Sequence, residues 1–172
     1  LLSIQRRAAH GISVGGNYTW SHCISDPSST DVLSTLSGYI SNPNDRRYDR
    51  GNCTLAATDR RQTFNSSAVI DSPRFSNRGL RAIATGWKIS PILKISSGDY
   101  MTINSGIDRA LVGTGGGIQH ADQILENPYG DKSINNYLNP NAFQQPALGT
   151  FGNVGSSNVQ GPGSWQLDVS FS

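Results

Sequence analysis

From Ile12 the even positions read Ile12, Val14, Gly16, Tyr18 and Trp20, and between them stand Ser13, Gly15, Asn17, Thr19 and Ser21. A strand sends successive side chains to opposite faces, so this spacing predicts a strand with one apolar and one polar side. About ten residues is the length a tilted strand needs to cross a bilayer. Tyr18 and Trp20 close the apolar side where a membrane interface would lie. A water-soluble sandwich uses the same alternation, so this strand alone leaves both architectures open.

The period of two recurs. Leu2 and Ile4 alternate with Ser3 and Gln5 as the end of an earlier strand, joined to the next by a short connection, residues 6–11. A third strand is expected over residues 62–70, with Phe64, Ala68 and Ile70 opposite Thr63, Asn65 and Ser67. After a turn region at 71–79 containing Pro73, a fourth covers residues 80–97. There Ile83, Trp87, Ile89, Leu93 and Ile95 oppose Lys88, Ser90, Lys94 and Ser96. Pro91 has no N–H for the ladder, which predicts a bulge. Residues 100–104 are expected to extend this hairpin. The last strand sets Trp165, Leu167, Val169 and Phe171 against Gln166, Asp168 and Ser170.

The connections then run short, long, short, long, the long ones being residues 21–61 and 98–163. Antiparallel strands place alternate connections at opposite ends, so both long ones fall on one side. Outer-membrane barrels sort their loops in this way, whereas a sandwich has no reason to, and long structureless loops are unusual in compact domains. The expected fold is therefore all-β: antiparallel up-and-down strands forming a partial outer-membrane β-barrel with long outer loops. Tyr18, Trp20, Trp87 and Trp165 are its candidate membrane-girdle aromatics.

Composition agrees with that reading. Charged residues are 15% and apolar ones 35%, with 19 Gly among 172 residues, against about 25% charge in an ordinary soluble domain. Six Tyr, five Phe and three Trp argue against disorder. The net charge is +2 with scattered basic residues, so no nucleic-acid partner is expected. No apolar run reaches the length of a transmembrane helix. The chain starts Leu1-Leu2-Ser3-Ile4, without Met or a signal pattern, and is expected to be a fragment of a longer protein or a processed product.

Little points to catalysis. Cys23 and Cys53 both fall in the first long connection, and no C-x-x-C motif suggests a metal site or a redox centre. A disulfide between them removes about 3–4 kcal/mol of unfolded-chain entropy in the loop-closure view, and an oxidising compartment permits it. His10, His22 and His120 are scattered, and neither G-x-S-x-G nor H-E-x-x-H occurs. Gly113-Thr114-Gly115-Gly116-Gly117 lacks the Lys-Ser/Thr of a phosphate loop and reads as a flexible loop segment. Asp59-Arg60-Arg61 is expected to place an ion pair at a strand mouth. No enzyme activity, cofactor or metal is expected. Tyr129, Tyr137 and Phe143 either contact a ligand or pack their loop, and the ligand itself is unknown.

Several segments together resemble one family. They are Asn17-Tyr18-Thr19-Trp20-Ser21-His22-Cys23, Asp49-Arg50-Gly51-Asn52-Cys53, Asp59-Arg60-Arg61, Gly86-Trp87-Lys88-Ile89-Ser90 followed by Ser97-Gly98, and Asn139-Pro140-Asn141-Ala142-Phe143. Pro146, Gly149-Thr150-Phe151-Gly152-Asn153 and Gly161-Pro162-Gly163-Ser164-Trp165 continue the series. In order and spacing this set is similar to the C-terminal barrel region of the Oar-like TonB-dependent receptors, which often carry a carboxypeptidase-regulatory-like domain. Pro91 stands where that pattern usually has Gly.

The resemblance implies an outer-membrane transporter or receptor of about 22 strands, energised by TonB through a plug domain. Residues 1–172 are then a fragment of one such barrel domain, without the plug. The implied partners are the remainder of the barrel and its plug, TonB, the lipid bilayer and an unidentified ligand. The implied location is the outer membrane of a Gram-negative-type cell, with the long loops extracellular. The alternative is a secreted or surface β-rich structural or adhesive module that assembles through its strand edges.

Overall fold

The computed structural model describes residues 1–9, 11–26, 40–53, 60–113 and 119–172, and of residues 7–9 the backbone alone. His10, Asp59 and residues 114–117, singled out above, lie outside the described residues. The chain divides into two units. One holds residues 1–21, 60–97 and 163–172, and the other residues 22–59 and 98–162.

The first unit is a single antiparallel sheet. Its strands are β1 (Leu2–Ala9), β2 (Ile12–Trp20), β3 (Gln62–Asp71), β4 (Lys88–Ser96) and β5 (Ser164–Phe171), hydrogen-bonded in chain order. This is the up-and-down order the alternation predicts. β2 ends at Trp20 opposite Gln62, and Ser96 ends β4 opposite both Thr63 and Ser164. Both long connections therefore leave the sheet at the same end.

Three local expectations are corrected. Residues 6–9 belong to β1, so only residue 10 and Gly11 join it to β2. Gly11 adopts φ +80° beside the Asp71 carbonyl, which permits so tight a turn. Residues 80–87 are not strand: Arg78–Ala84 form a short helix, α1, whose N-cap Asn77 accepts from the Gly79 and Leu80 amides. That capping, with Leu, Arg and Ala following, outweighs the strand spacing of Ile83 and Trp87. Pro91 makes no bulge either. β4 keeps one register against β3 on both sides of it, and the pairing merely lapses opposite Ala68 and Val69. The register shift falls instead in β1, between Arg6 and Ala9.

The second unit replaces the expected polar loops with folded structure. Short antiparallel pairs join Ile24–Ser25 to Gly51–Asn52, Tyr100–Met101 to Val159–Gln160, Asp122–Gln123 to Phe143–Gln144, and Tyr129–Ser133 to Asn136–Leu138. Contrary to expectation, residues 100–104 therefore do not extend the β3–β4 hairpin: Tyr100 and Met101 find their ladder partners in Val159 and Gln160 instead. Ala121, Ala142, Val154 and Val159 are buried, together with Asp49, Gln119 and His120. Every buried residue among those described belongs to this unit.

Candidate functional site

Directly paired residues share a face of a sheet, so the registers define two surfaces of the first unit. One row reads Leu2, Tyr18, Phe64, Ile95 and Trp165 across all five strands, and another reads Ile12, Ile70, Ile89 and Phe171. Val14, Leu93, Leu167 and Val169 lie between them on the same face. Most of these apolar side chains are exposed, Val14 being 42% accessible and Trp165 74%, while Ile89 and Leu93 are half-buried. No second sheet covers them among the described residues. Ser66, on this face beside Gly16, turns its hydroxyl to the Gly15 carbonyl at 3.2 Å, so its polar group is internally satisfied.

The opposite face carries Ser13, Asn17, Asn65, Lys94, Gln166 and Asp168. Asn65 donates to Asn17 Oδ1 at 3.1 Å, and Gln166 to Asp168 at 2.8 Å. A hollow of about 500 Å³ opens on this side, with Gln5, Asn17, Asn65 and Ser67 in its lining. At the end where the long connections leave, Arg60 donates to Ser96 Oγ at 2.7 Å, and its guanidinium also reaches Ser97 O and Ser164 Oγ. It ties the ends of β4 and β5. Lys88 and Asp71 form an exposed ion pair at 3.9 Å at the other end.

Of the expected girdle residues, Tyr18, Trp20 and Trp165 stand on the apolar face at the long-connection end. Trp87 precedes β4 at the opposite end, where its carbonyl accepts from the Ser72 amide.

In the second unit Cys23 and Cys53 form a disulfide, beside the Ile24–Asn52 pair. His22 Nε2 lies 2.9 Å from Asn52 Oδ1, and Asn52 donates onward to Ser157 O at 2.7 Å. A Cβ at Gly51 would collide with the Ser156 carbonyl, so glycine is required there.

The least expected feature is a buried polar node. Asp49 and His120 are each about 4% accessible, with Oδ1 and Nε2 3.8 Å apart. Asp49 Oδ2 accepts from the Ser41 and Asn42 amides at 2.9 and 3.2 Å. His120 Nδ1 lies 2.8 Å from the Val154 carbonyl oxygen. A carbonyl oxygen only accepts, so Nδ1 carries a proton and the neutral ring leaves Nε2 bare toward Asp49. Burial holds the imidazole below its ordinary pKa, against the attraction of Asp49 and the Val154 carbonyl. Tyr48 stacks on His120 with centroids 4.7 Å apart and donates to Gly152 O at 2.8 Å. Burial, with the charges of Asp49 and Asp122, pushes its phenol up to about 12.

The hydrogen bonds of Asp49 Oδ2, His120 Nδ1 and the Tyr48 hydroxyl hold chain segments together. Tyr129 and Tyr137 meet edge to face at 5.8 Å, Lys132 lies over the Tyr129 ring, and the Tyr129 hydroxyl accepts from the Gln160 amide. They pack their own loop. Phe143 is half-buried in its pair with Gln123. The described residues contain no group of three metal-ligating side chains.

An antiparallel wall with one apolar and one polar face, and with its long connections at one end, has the architecture of an outer-membrane barrel wall. The outer membrane beta barrel domain family matches residues 1–172, and the chain belongs to that family. It is an outer-membrane protein. Nothing among the curated proteins or the solved structures matches it.

Proposed function

We propose that this chain is part of the wall and outer loops of a TonB-dependent receptor of the Oar-like kind, which takes up a ligand through a larger barrel. The observation that carries the reading is the departure of both long connections from one end of a lipid-facing wall. Those connections fold as a stapled unit rather than as tethers, which suits a ligand-receiving surface. Five strands cannot close a barrel, and β1 and β5 leave ladder edges for the rest of the wall. The ordered motif set from Asn17 to Trp165 supports the family branch. The partners under this reading are the remaining barrel strands, a plug, TonB, the bilayer and an as yet unidentified ligand.

The aromatic placement supports the same orientation. Trp20 and Trp87 lie about ten residue steps apart along the strands, or ~34 Å at ~3.4 Å per residue. A tilt of 35–45° reduces this to about 24–28 Å, close to the ~25 Å apolar band of such barrels. Tyr18, Trp20 and Trp165 then mark the outer interface and Trp87 the periplasmic one, with residues 22–59 and 98–162 extracellular.

The test is an epitope inserted after Ile134, which is fully exposed, in the protein as its cells make it. An antibody reaches it on intact cells if the orientation is right. Depletion of small molecules from the medium, compared in cells with and without functional TonB, then reports transport. An epitope seen only after lysis overturns the orientation, and TonB-independent depletion overturns the transport mechanism.

A further inference from the structure

The turn between β3 and β4 does more than reverse the chain. α1 has no buried residue. Leu80 and Ile83 lie on one side of it, 53% and 76% accessible, and Trp87 follows at 52%. Trp87 Nε1 donates to the Ile83 carbonyl at 2.7 Å, which joins that side of the helix to the end of the wall's apolar face. Arg78 and Arg81 occupy the opposite side, and Arg74 lies one turn earlier in sequence. The one acidic residue between 71 and 88 is Asp71, which Lys88 holds. Among the described residues no carboxylate pairs with Arg74, Arg78 or Arg81.

A hollow of about 450 Å³ opens at this turn, lined by Arg74, Phe75, Ser76, Arg81 and Thr85. Arg81 Nε donates to Phe75 O at 3.0 Å, which holds its guanidinium at the hollow. Thr85 Oγ1 is buried there without a hydrogen-bond partner among the described residues. Two guanidinium groups and a hydroxyl around one opening make an anion site. Its apolar flank, continuous with the wall, selects the source of the anion.

We propose that this turn is a lipid-headgroup site: Leu80, Ile83 and Trp87 enter the acyl boundary while Arg74, Arg81 and Thr85 hold the phosphate of an anionic phospholipid. Arg78 adds charge at the same surface. This is the amphipathic, basic geometry of a segment lying in a membrane interface, here built into a barrel turn. It anchors the wall at the end opposite the long connections, and it rests on the lipid-facing reading of the wall.

The experiment uses the protein as its cells make it, purified into phosphatidylcholine bicelles and titrated calorimetrically with dihexanoyl phosphatidylglycerol, dihexanoyl phosphatidylcholine and inorganic phosphate. The native chain should bind the phosphatidylglycerol at least about tenfold more tightly than the phosphatidylcholine. Each of Arg74→Gln and Arg81→Gln should weaken it about fivefold, and joint replacement of Arg74, Arg78 and Arg81 by Gln should abolish the preference. Lys at all three positions should keep much of it. The helix buries none of its residues, so these variants should enter bicelles normally.

Equal binding of the two lipids, or a preference that survives the triple Gln change, overturns the proposal while leaving the wall intact. Displacement of the lipid by an equal concentration of phosphate does the same, because the site is then one for free anions. Failure of a bilayer-confined photolabel to reach Val14 and Leu167 in the same protein overturns the lipid-facing wall, and this site with it.

Discussion

The wall and the loop unit solve the problem of folding in opposite ways within one chain. The wall orders its backbone through long ladders and leaves Val14, Leu167 and Trp165 exposed, with no residue buried among those described. The loop unit has only short ladders, yet it buries Ala121, Val154 and Val159 around Asp49, His120 and Gln119. If lipid supplies the wall's apolar environment, as proposed above, a core would be redundant there. The loop unit, placed in water by the same proposal, buries few apolar residues and relies on cross-links and satisfied polar groups. Stability in the first is a property of sidedness; in the second it is a property of particular contacts.

Cutting the staple should separate the two most sharply. Cys23→Ser with Cys53→Ser should cost the loop unit about 3–4 kcal/mol, seen as faster proteolysis within residues 22–59. In the protein as its cells make it, the barrel should still fold into lipid vesicles with unchanged heat-modifiable mobility on gels. Loss of wall folding together with the loop unit would show that the two share one cooperative transition.

The next contrast lies within the wall. Leu167→Arg places a charge on the apolar face near mid-strand and should cost ~2–4 kcal/mol of folding free energy in vesicles. Gln166→Arg, one residue away on the polar face, should cost less than ~0.5 kcal/mol. Denaturant titration in lipid measures both. Equal costs would mean that the two faces do not see different solvents.

These two regions were also unequally legible. The wall's strands, their sidedness and their order follow from a period of two, because each face is set by residues adjacent in sequence. Two departures had local causes that compete with that period: the Asn77 cap turned Arg78–Ala84 into helix, and Gly11 allowed β1 to run on to Ala9. Pro91 was read by its missing donor alone, yet the register absorbs it. In the loop unit the disulfide was readable from two cysteines in one connection. The Asp49–His120 node was not, because its members lie 71 residues apart on separate connections and share no period. Both residues do sit in or beside segments of the resemblance or the histidine inventory, Asp49-Arg50-Gly51-Asn52-Cys53 and His120-Ala121-Asp122, and joining those was the available signal.

Removing the Asp49 carboxylate tests that node. Asp49→Ala strands the Ser41 and Asn42 amides in a buried place and should cost the loop unit about 2–3 kcal/mol. Asp49→Asn keeps an oxygen for them and should cost less. The wall should be indifferent to both, as judged by its folding in vesicles. If Ala and Asn prove equal, the two amides are satisfied some other way.

The smallest expected effect is the dependence of the loop unit on pH, and its sign decides how the node works. In the unfolded chain His120 titrates near 6.5; in the folded unit burial lowers it. Between those two values the unfolded chain holds a proton that the folded one refuses, so acidification favours unfolding. The contribution is fully present above about pH 6.5, declines as pH falls, and levels off once the folded imidazole also takes its proton. Melts of the loop unit between about pH 7.5 and 5.5 should show this decline, and His120→Gln should flatten it. The opposite slope would mean that a proton on Nε2, aimed at Asp49 Oδ1 3.8 Å away, gains more from the ion pair than it loses to burial. His120 would then be a latch closed by acid, whereas the geometry makes it a neutral spacer whose Nδ1–H is committed to Val154.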